Sequence, residues 1–351
     1  MPITINGTTG VDQSNISGST ILPRGTTAQR PASPVDGMMR YNTDEEYIEY
    51  YNSDRAEWFP TARSLGPAPV QATGGTVTDI TEDGVNYRVH AFTSVGTSSF
   101  QVTRGGQIDV LVVAGGGGAT GSDGSGGAGA GGLAFASSFA VTEQSYSVSV
   151  GAGGVGEVKD DNTAGNNGEN SSFDSLILAK GGGGGGSKKA GAVDGGSSGG
   201  SGQGYDTVGN ATQPGTNGAG IEDFGNIGSA GPNGNTGGGG GGAGEVASNA
   251  TGGNGKDYSG FFGIIFGENG VFAGGGGGGE NNPGVSVDLE GGLGGGGNGG
   301  ESSIGSNTNG SGNVEGEDGI PNTGGGGGGS GNDTSNPASG GSGIVLIRYA
   351  I

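Results

Sequence analysis

Four runs of glycine, each six residues long, stand at Gly181–Gly186, Gly237–Gly242, Gly274–Gly279 and Gly324–Gly329. Such a run has no side chain to bury, and glycine loses more backbone freedom on folding than any other residue. It orders only if its own peptide groups find partners. A polyproline II helix has three residues per turn, rises about 3.1 Å per residue and makes no internal hydrogen bonds. Six residues are then two turns, about 19 Å, the length of an ordinary β-strand. With glycine at every position all faces are bare, so neighbouring rods approach until amides and carbonyls bond sideways, helped by Cα–H···O contacts. The runs are therefore predicted to be the innermost rods of a polyglycine II bundle. Mixed stretches such as Gly195–Gly204 and Gly291–Gly300 are expected further out, with loops rich in Asn, Ser, Asp and Pro between them.

Composition agrees that side chains alone do not build this chain: 94 of 351 residues are glycine and 29% are hydrophobic, which leaves a thin apolar core. There is no cysteine, so neither disulfides nor thiolate metal sites are available. The start, MPITINGTTG, lacks the basic and apolar regions of a secretion signal, and no apolar run is long enough to span a bilayer. A formal charge of -21 argues against nucleic acid and anionic membrane as partners.

Three zones follow one another. Residues 1–65 read as a β-rich module, with short strands around Met38–Asn42 and Tyr47–Asn52 broken by Asn-Thr-Asp and Asn-Ser-Asp turns and closed by Trp58 and Phe59. Residues 66–74 read as a Pro/Gly linker. Residues 75–351 read as a glycine-rich domain: strands over 75–114, a polyglycine II bundle over 115–343 and a closing strand over 344–349. Ile108–Val113 is a continuous apolar run, the pattern of a strand buried on both faces. Ile344–Tyr349 is its expected pairing partner. The fold class is thus mostly β with polyglycine II helices and almost no α-helix.

Two stretches carry a resemblance. Arg24-Gly25-Thr26-Thr27-Ala28-Gln29-Arg30-Pro31 through Gly37-Met38-Met39-Arg40-Tyr41-Asn42 and Glu49-Tyr50-Tyr51-Asn52 to Trp58 resembles a short module of phage tail-fibre and other virion structural proteins, notably marine and cyanobacterial ones. Val89-His90-Ala91-Phe92, Val110–Gly115, Val148–Gly154 and Gly340–Tyr349 resemble the glycine-rich domain common in the same proteins. The resemblance implies a virion surface protein of tail-fibre or adhesin type, trimeric, touching a host receptor through loops on a polyglycine scaffold. A capsid-attached fibre or decoration protein with an architectural role is the other expectation.

Motifs for chemistry are sparse, and no enzyme is expected. Ser187-Lys188-Lys189 after Gly181–Gly186 misses the phosphate-loop spacing, and Gly115–Gly118 is followed by no amphipathic helix that a dinucleotide site needs. The single histidine, His90, lies in an alternating strand with no triad or metal partners in the pattern, so its expected role is structural. The acidic pairs Glu45-Glu46 and Asp160-Asp161 sit in turn-like stretches, which solvates them. Gly199–Gly204 approaches a calcium repeat but has glycine where aspartate belongs, so no cofactor is expected and calcium is the one ion left open. Contact residues for a receptor or a neighbouring subunit are expected among the loop aromatics Tyr205, Phe224, Tyr258, Phe261, Phe262 and Phe266; packing of the 258–266 segment against a subunit or over the bundle is favoured over receptor contact.

Overall fold

A computed structural model describes residues 22–61, 69–158, 162–282, 288–302, 315–333 and 336–351. The chain divides into two units, Met1–Ala68 and Pro69–Ile351. In the first, β1 (Arg24–Gly25), β2 (Met39–Asn42), β3 (Tyr47–Asn52) and β4 (Glu57–Pro60) form one sheet in chain order. Its turns follow from the asparagines that the sequence pattern singles out: the Asp44 amide donates to Asn42 Oδ1 (3.0 Å) and the Arg55 amide to Asn52 Oδ1 (3.1 Å). Among its described residues the only buried side chains are polar, Arg40, Asn42 and Glu49.

The second unit is a β-sandwich that runs on into a bundle. Its strands are β5 (Gln71–Thr73), β6 (Thr76–Glu82), β7 (Val85–Phe92), β8 (Gly96–Arg104), β9 (Gly106–Val113), β10 (Leu133–Val141), β11 (Ser145–Val150), β12 (Ser171–Phe173), β13 (Ile177–Ala179), β14 (Glu222–Phe224), β15 (Lys256–Asp257), β16 (Val271–Phe272) and β17 (Ile344–Ala350). A six-stranded sheet has the order β14-β10-β9-β17-β7-β6 and a five-stranded sheet the order β13-β12-β11-β8-β5. As expected, β17 pairs with β9, Ile344 opposite Val113 and Ile347 opposite Val110. Between the sheets Val110, Val112, Val345 and Ile347 meet Phe100, Val148 and Phe173. On the outer face of the six-stranded sheet, Leu111, Val113, Ile344 and Leu346 meet Tyr258, Phe262 and Phe272. The central strands are thus covered on both sides, which is why they read as unbroken apolar runs. Each fully buried Val, Leu or Ile there stabilises the unit by about 1.5–3 kcal/mol.

The chain leaves these strands as rods: β9 continues into Ala114–Gly118, β13 into Lys180–Gly186 and β16 into Ala273–Gly279. Hydrogen bonds between rods recur every third residue, the signature of a three-fold helix. Gly237 and Gly240 donate to Gly279 and Gly276; Gly274 and Gly277 to Gly294 and Gly297; Gly326 and Gly329 to Gly274 and Gly277. Every amide of the four hexaglycine runs donates, Gly181, Gly184 and Gly325 to the side-chain oxygens of Asn170, Asn167 and Thr323 and the others to carbonyls. A Cβ placed at any position of the four runs would come within 1.8–2.9 Å of a neighbouring backbone atom, closer than real Cβ atoms approach anything. Glycine is therefore required by the spacing of the rods.

Three expectations need correction. The centre of the bundle is Ser125–Gly132, not a hexaglycine run. Gly126, Gly129 and Gly132 donate to Gly186, Gly183 and Lys180, while Gly129 and Gly132 accept from Gly117 and Ala114. Gly127 and Ala130 donate to Gly238 and Gly241 and accept from Gly200 and Ser197. Ala128 and Gly131 donate to Gly327 and Gly324, and Ala128 accepts from Gly276. Six neighbours, all four hexaglycine runs among them, surround this rod. It carries Ala128 and Ala130 because a methyl is excluded position by position rather than rod by rod: a Cβ at Gly126, Gly127, Gly129 or Gly131 would lie 2.0–2.3 Å from a carbonyl oxygen, whereas Ala130 packs in the apolar cluster. Accordingly Ser197, Ser198 and Ser201, in a stretch expected further out, are fully buried.

The bundle is also not continuous over 115–343, since β10 to β16 interrupt it. Strand β10 carries little sequence signal, because its small residues dilute the pattern and a bulge at Ser137-Ser138, with Ser138 at φ 51°, breaks its alternation. Within the expected linker 66–74, Gln71–Thr73 is an edge strand on β8 and Val70 is buried; residues 66–68 lie outside the described residues. Here flanking Pro and Gly hid a strand too short to show a period.

Candidate functional site

The apolar segment after Asp257 folds as a one-turn helix, α1 (Ser259–Phe262), set across the outer face of the six-stranded sheet. The Ser259 amide donates to Asp257 Oδ1 at 2.7 Å and fixes its start; Gly263, at φ 74°, ends it. The Phe135 ring of β10 lies 4.8 Å from Tyr258 and 4.9 Å from Phe261, edge-on to the latter. Arg348 of β17 ties the segment down. Its Nε donates to Asp109 Oδ2 at 2.8 Å, its Nη1 donates to the Phe261 carbonyl, and its guanidinium lies 4.2 Å from the Tyr87 ring and 4.6 Å from that of Phe261.

The six contact candidates thus divide. Tyr258 and Phe262 are buried in the domain's own core, and Phe224, Phe261 and Phe266 are half-buried against it. Phe224 also carries the Lys256 ammonium 4.3 Å above its ring. Tyr205 is exposed, in a loop apart from the others. What segment 258–266 presents to solvent is Ile264 and Ile265, 67% and 61% exposed. Burial pushes the Tyr258 hydroxyl above its ordinary pKa, with the charge of Glu222 adding to it, so it stays protonated.

Beside Phe135 lies an open cleft of about 280 Å³, lined by Phe135, Ser137, Gly220, Ile221 and Glu222. It offers an aromatic wall, a hydroxyl and a carboxylate, enough to recognise a small polar group by shape and hydrogen bonding. Sequence reasoning missed this cleft, because its two sides come from β10 and from the approach to β14, distant in sequence. The Arg348–Asp109 pair left a signal: one charge inside each of two otherwise apolar strands.

The glycine stretches that mimic phosphate loops have no free amides. Gly115 to Gly118 donate to Glu169, Gly341, Gly129 and Asn166. His90 is fully buried; its Nδ1–H donates to the Gly74 carbonyl (2.7 Å), so Nε2 accepts from the Tyr349 hydroxyl (2.9 Å). Burial holds its pKa below the usual value, although the Gly74 bond opposes this. Glu45 and Glu46 are exposed in the turn between β2 and β3; Asp160 and Asp161 lie outside the described residues. Among the described residues no three His, Cys, Asp or Glu side chains gather to hold a metal, and no helix is long and apolar enough to cross a membrane.

A sandwich whose strands run on into hydrogen-bonded glycine rods around a central rod defines a glycine-rich domain of polyglycine II type. The chain matches the glycine-rich domain family over residues 93–350 and belongs to that family. Strands β5, β6 and β7 precede the matched range, yet they complete both sheets. No curated protein sequence shows significant similarity to the chain.

Proposed function

We propose that the protein is a phage virion surface component of tail-fibre or adhesin type, attaching to host cells through loops carried on the polyglycine bundle, with residues 1–65 as its assembly module and a homotrimer as its working form. The observation that carries the reading is the bundle itself. Rods whose peptide groups are spent on one another form a rigid scaffold, which leaves recognition to the exposed segments joining them, such as the Tyr205 loop and Ile264-Ile265. The phage-type pattern of residues 24–58 supports the virion setting, and the excess of acidic residues suits a solvated surface rather than nucleic acid or membrane.

A capsid-attached fibre or decoration protein without receptor contact is the second reading. It is favoured by one specific observation: the richest aromatic segment spends Tyr258 and Phe262 on its own core. Immunogold labelling of intact particles tests the shared claim, with label on the virion surface expected and unlabelled virions overturning both readings. Purified protein added to host cells before infection separates them. Competition with infection is the adhesin outcome, and labelled particles without competition give the architectural one.

A further inference from the structure

The described part of the N-terminal sheet is built without an apolar core. Among its described residues, 22–61, no apolar side chain is buried. Its interior is ionic. Arg30 donates to Glu49 from Nε (3.1 Å) and Nη2 (2.6 Å), Asn42 Nδ2 donates to Glu49 at 3.1 Å, and Arg40 Nε stands 3.5 Å from the same carboxylate. Burial alone would raise the Glu49 pKa; the Arg30 and Asn42 hydrogen bonds and the two guanidinium charges outweigh it and hold it low. Such a cluster fixes geometry but contributes little net stability, because desolvation offsets the attraction. The unit Met1–Ala68 is of the size at which a single core rarely supplies ample stability by itself, and such units commonly add disulfides, a metal or association. The chain has no cysteine, and no metal-ligand group is present among the described residues. Among the described residues, association is the means that remains.

The register shows where. Met39 stands opposite Tyr50, Tyr50 opposite Phe59, and Tyr41 opposite Ile48, so these five share one face, away from Arg40, Asn42 and Glu49. Met39 and Ile48 are 43% and 37% exposed, and the three rings are half-buried. No charge interrupts the five. Charges of both signs border them: Arg24, 6.0 Å from the Tyr41 ring, Arg55, 5.6 Å from the Phe59 ring, and Glu57 at the end of β4. On a chain of net charge -21, copies repel one another over most of their surface. A neutral aromatic face rimmed by both signs is where they can meet.

We propose that the face formed by Met39, Tyr41, Ile48, Tyr50 and Phe59 is a self-association surface, and that its occupant is a second copy of this chain. The inference deepens the reading of residues 1–65 as the assembly module and makes no use of cell attachment. A chain that associates through this face yet binds no cell loses the adhesin role alone; a monomer that binds cells loses this face alone.

Sedimentation velocity on the full chain at micromolar concentration tests it. Wild type is expected to run as an oligomer, and Met39→Lys/Ile48→Lys as a monomer, with association weakened at least tenfold and the melting transition of residues 69–351 unchanged. Ile48→Leu guards against a folding artefact by keeping the oligomer, and so does Ile265→Lys, which places the same new charge outside the module. A monomeric wild type overturns the proposal, as does an oligomer that survives the double lysine change. So does a monomer whose face takes up a hydrophobic dye only after residues 1–21 are removed, because the cover is then the chain's own N-terminal stretch.

Discussion

Between the two sheets, Val110, Val112, Val345 and Ile347 meet Phe100, Val148 and Phe173, and the interior is made of side chains. A few residues further along the same strands, at Ala114–Gly118 and at Gly340–Gly343, the side chains stop and the interior is made of peptide groups. Water is excluded from both, by opposite means. In the sandwich, stability scales with apolar area removed from water and a lost methyl has a graded cost. In the bundle, each net hydrogen bond contributes only about 0.5–1.5 kcal/mol, but a buried peptide group left without a partner costs about 1–3 kcal/mol. Tolerance therefore differs more than stability does: the sandwich accepts a smaller residue at a cost, while the bundle accepts no larger one.

The sharpest way to break that contrast is Gly276→Val. A Cβ there would lie 2.1 Å from the Gly327 carbonyl oxygen, and the rod is bonded to neighbours on several sides. A loss of at least about 4 kcal/mol, or failure to fold, is expected in denaturant titration; a loss below about 1 kcal/mol would mean that rods part easily. Leu346→Ala, fully buried on β17, is expected to lower stability by about 3 kcal/mol while leaving the fold intact by circular dichroism.

Acid probes the seam where side chains still matter. Because burial holds the His90 pKa below its unfolded value of about 6.5, the unfolded chain takes up the proton first. Its contribution is complete above that pH, falls as pH drops below it, and levels off once the folded histidine is protonated. Thermal melts between pH 8 and 5 should show this slope, and His90→Gln should flatten it. The smallest effect belongs to Ala128→Gly in the central rod, expected to cost about 1 kcal/mol or less through added freedom of the unfolded chain. A larger loss would give the Ala128 methyl a packing role of its own.

Much of the fold was legible because its elements announce themselves locally. The apolar run Ile108–Val113 identified a strand covered on both faces, its pairing with Ile344–Tyr349 followed, and six-residue glycine runs implied rods of strand length. Which rod lies at the centre was not legible. Ser125–Gly132 holds no unbroken glycine run like those of the hexaglycine rods beside it, and its place is set by six segments scattered from Ala114 to Gly327. The site was legible least of all. Aromatic density singled out 258–266, yet nothing in the sequence distinguishes a ring that faces solvent from one that Arg348, 82 positions beyond Phe266, holds against the sheet. The cleft beside Phe135 depends in the same way on the meeting of β10 with residues 220–222.

Amide hydrogen exchange, resolved to single residues, goes to the centre of the account. Gly127, Gly129, Gly183, Gly240 and Gly276 should exchange as slowly as Val112 and Ile347, because the bundle opens only when the domain unfolds. Exchange of those glycines at the rate of an unstructured peptide, with the β9 and β17 amides still protected, would contradict it.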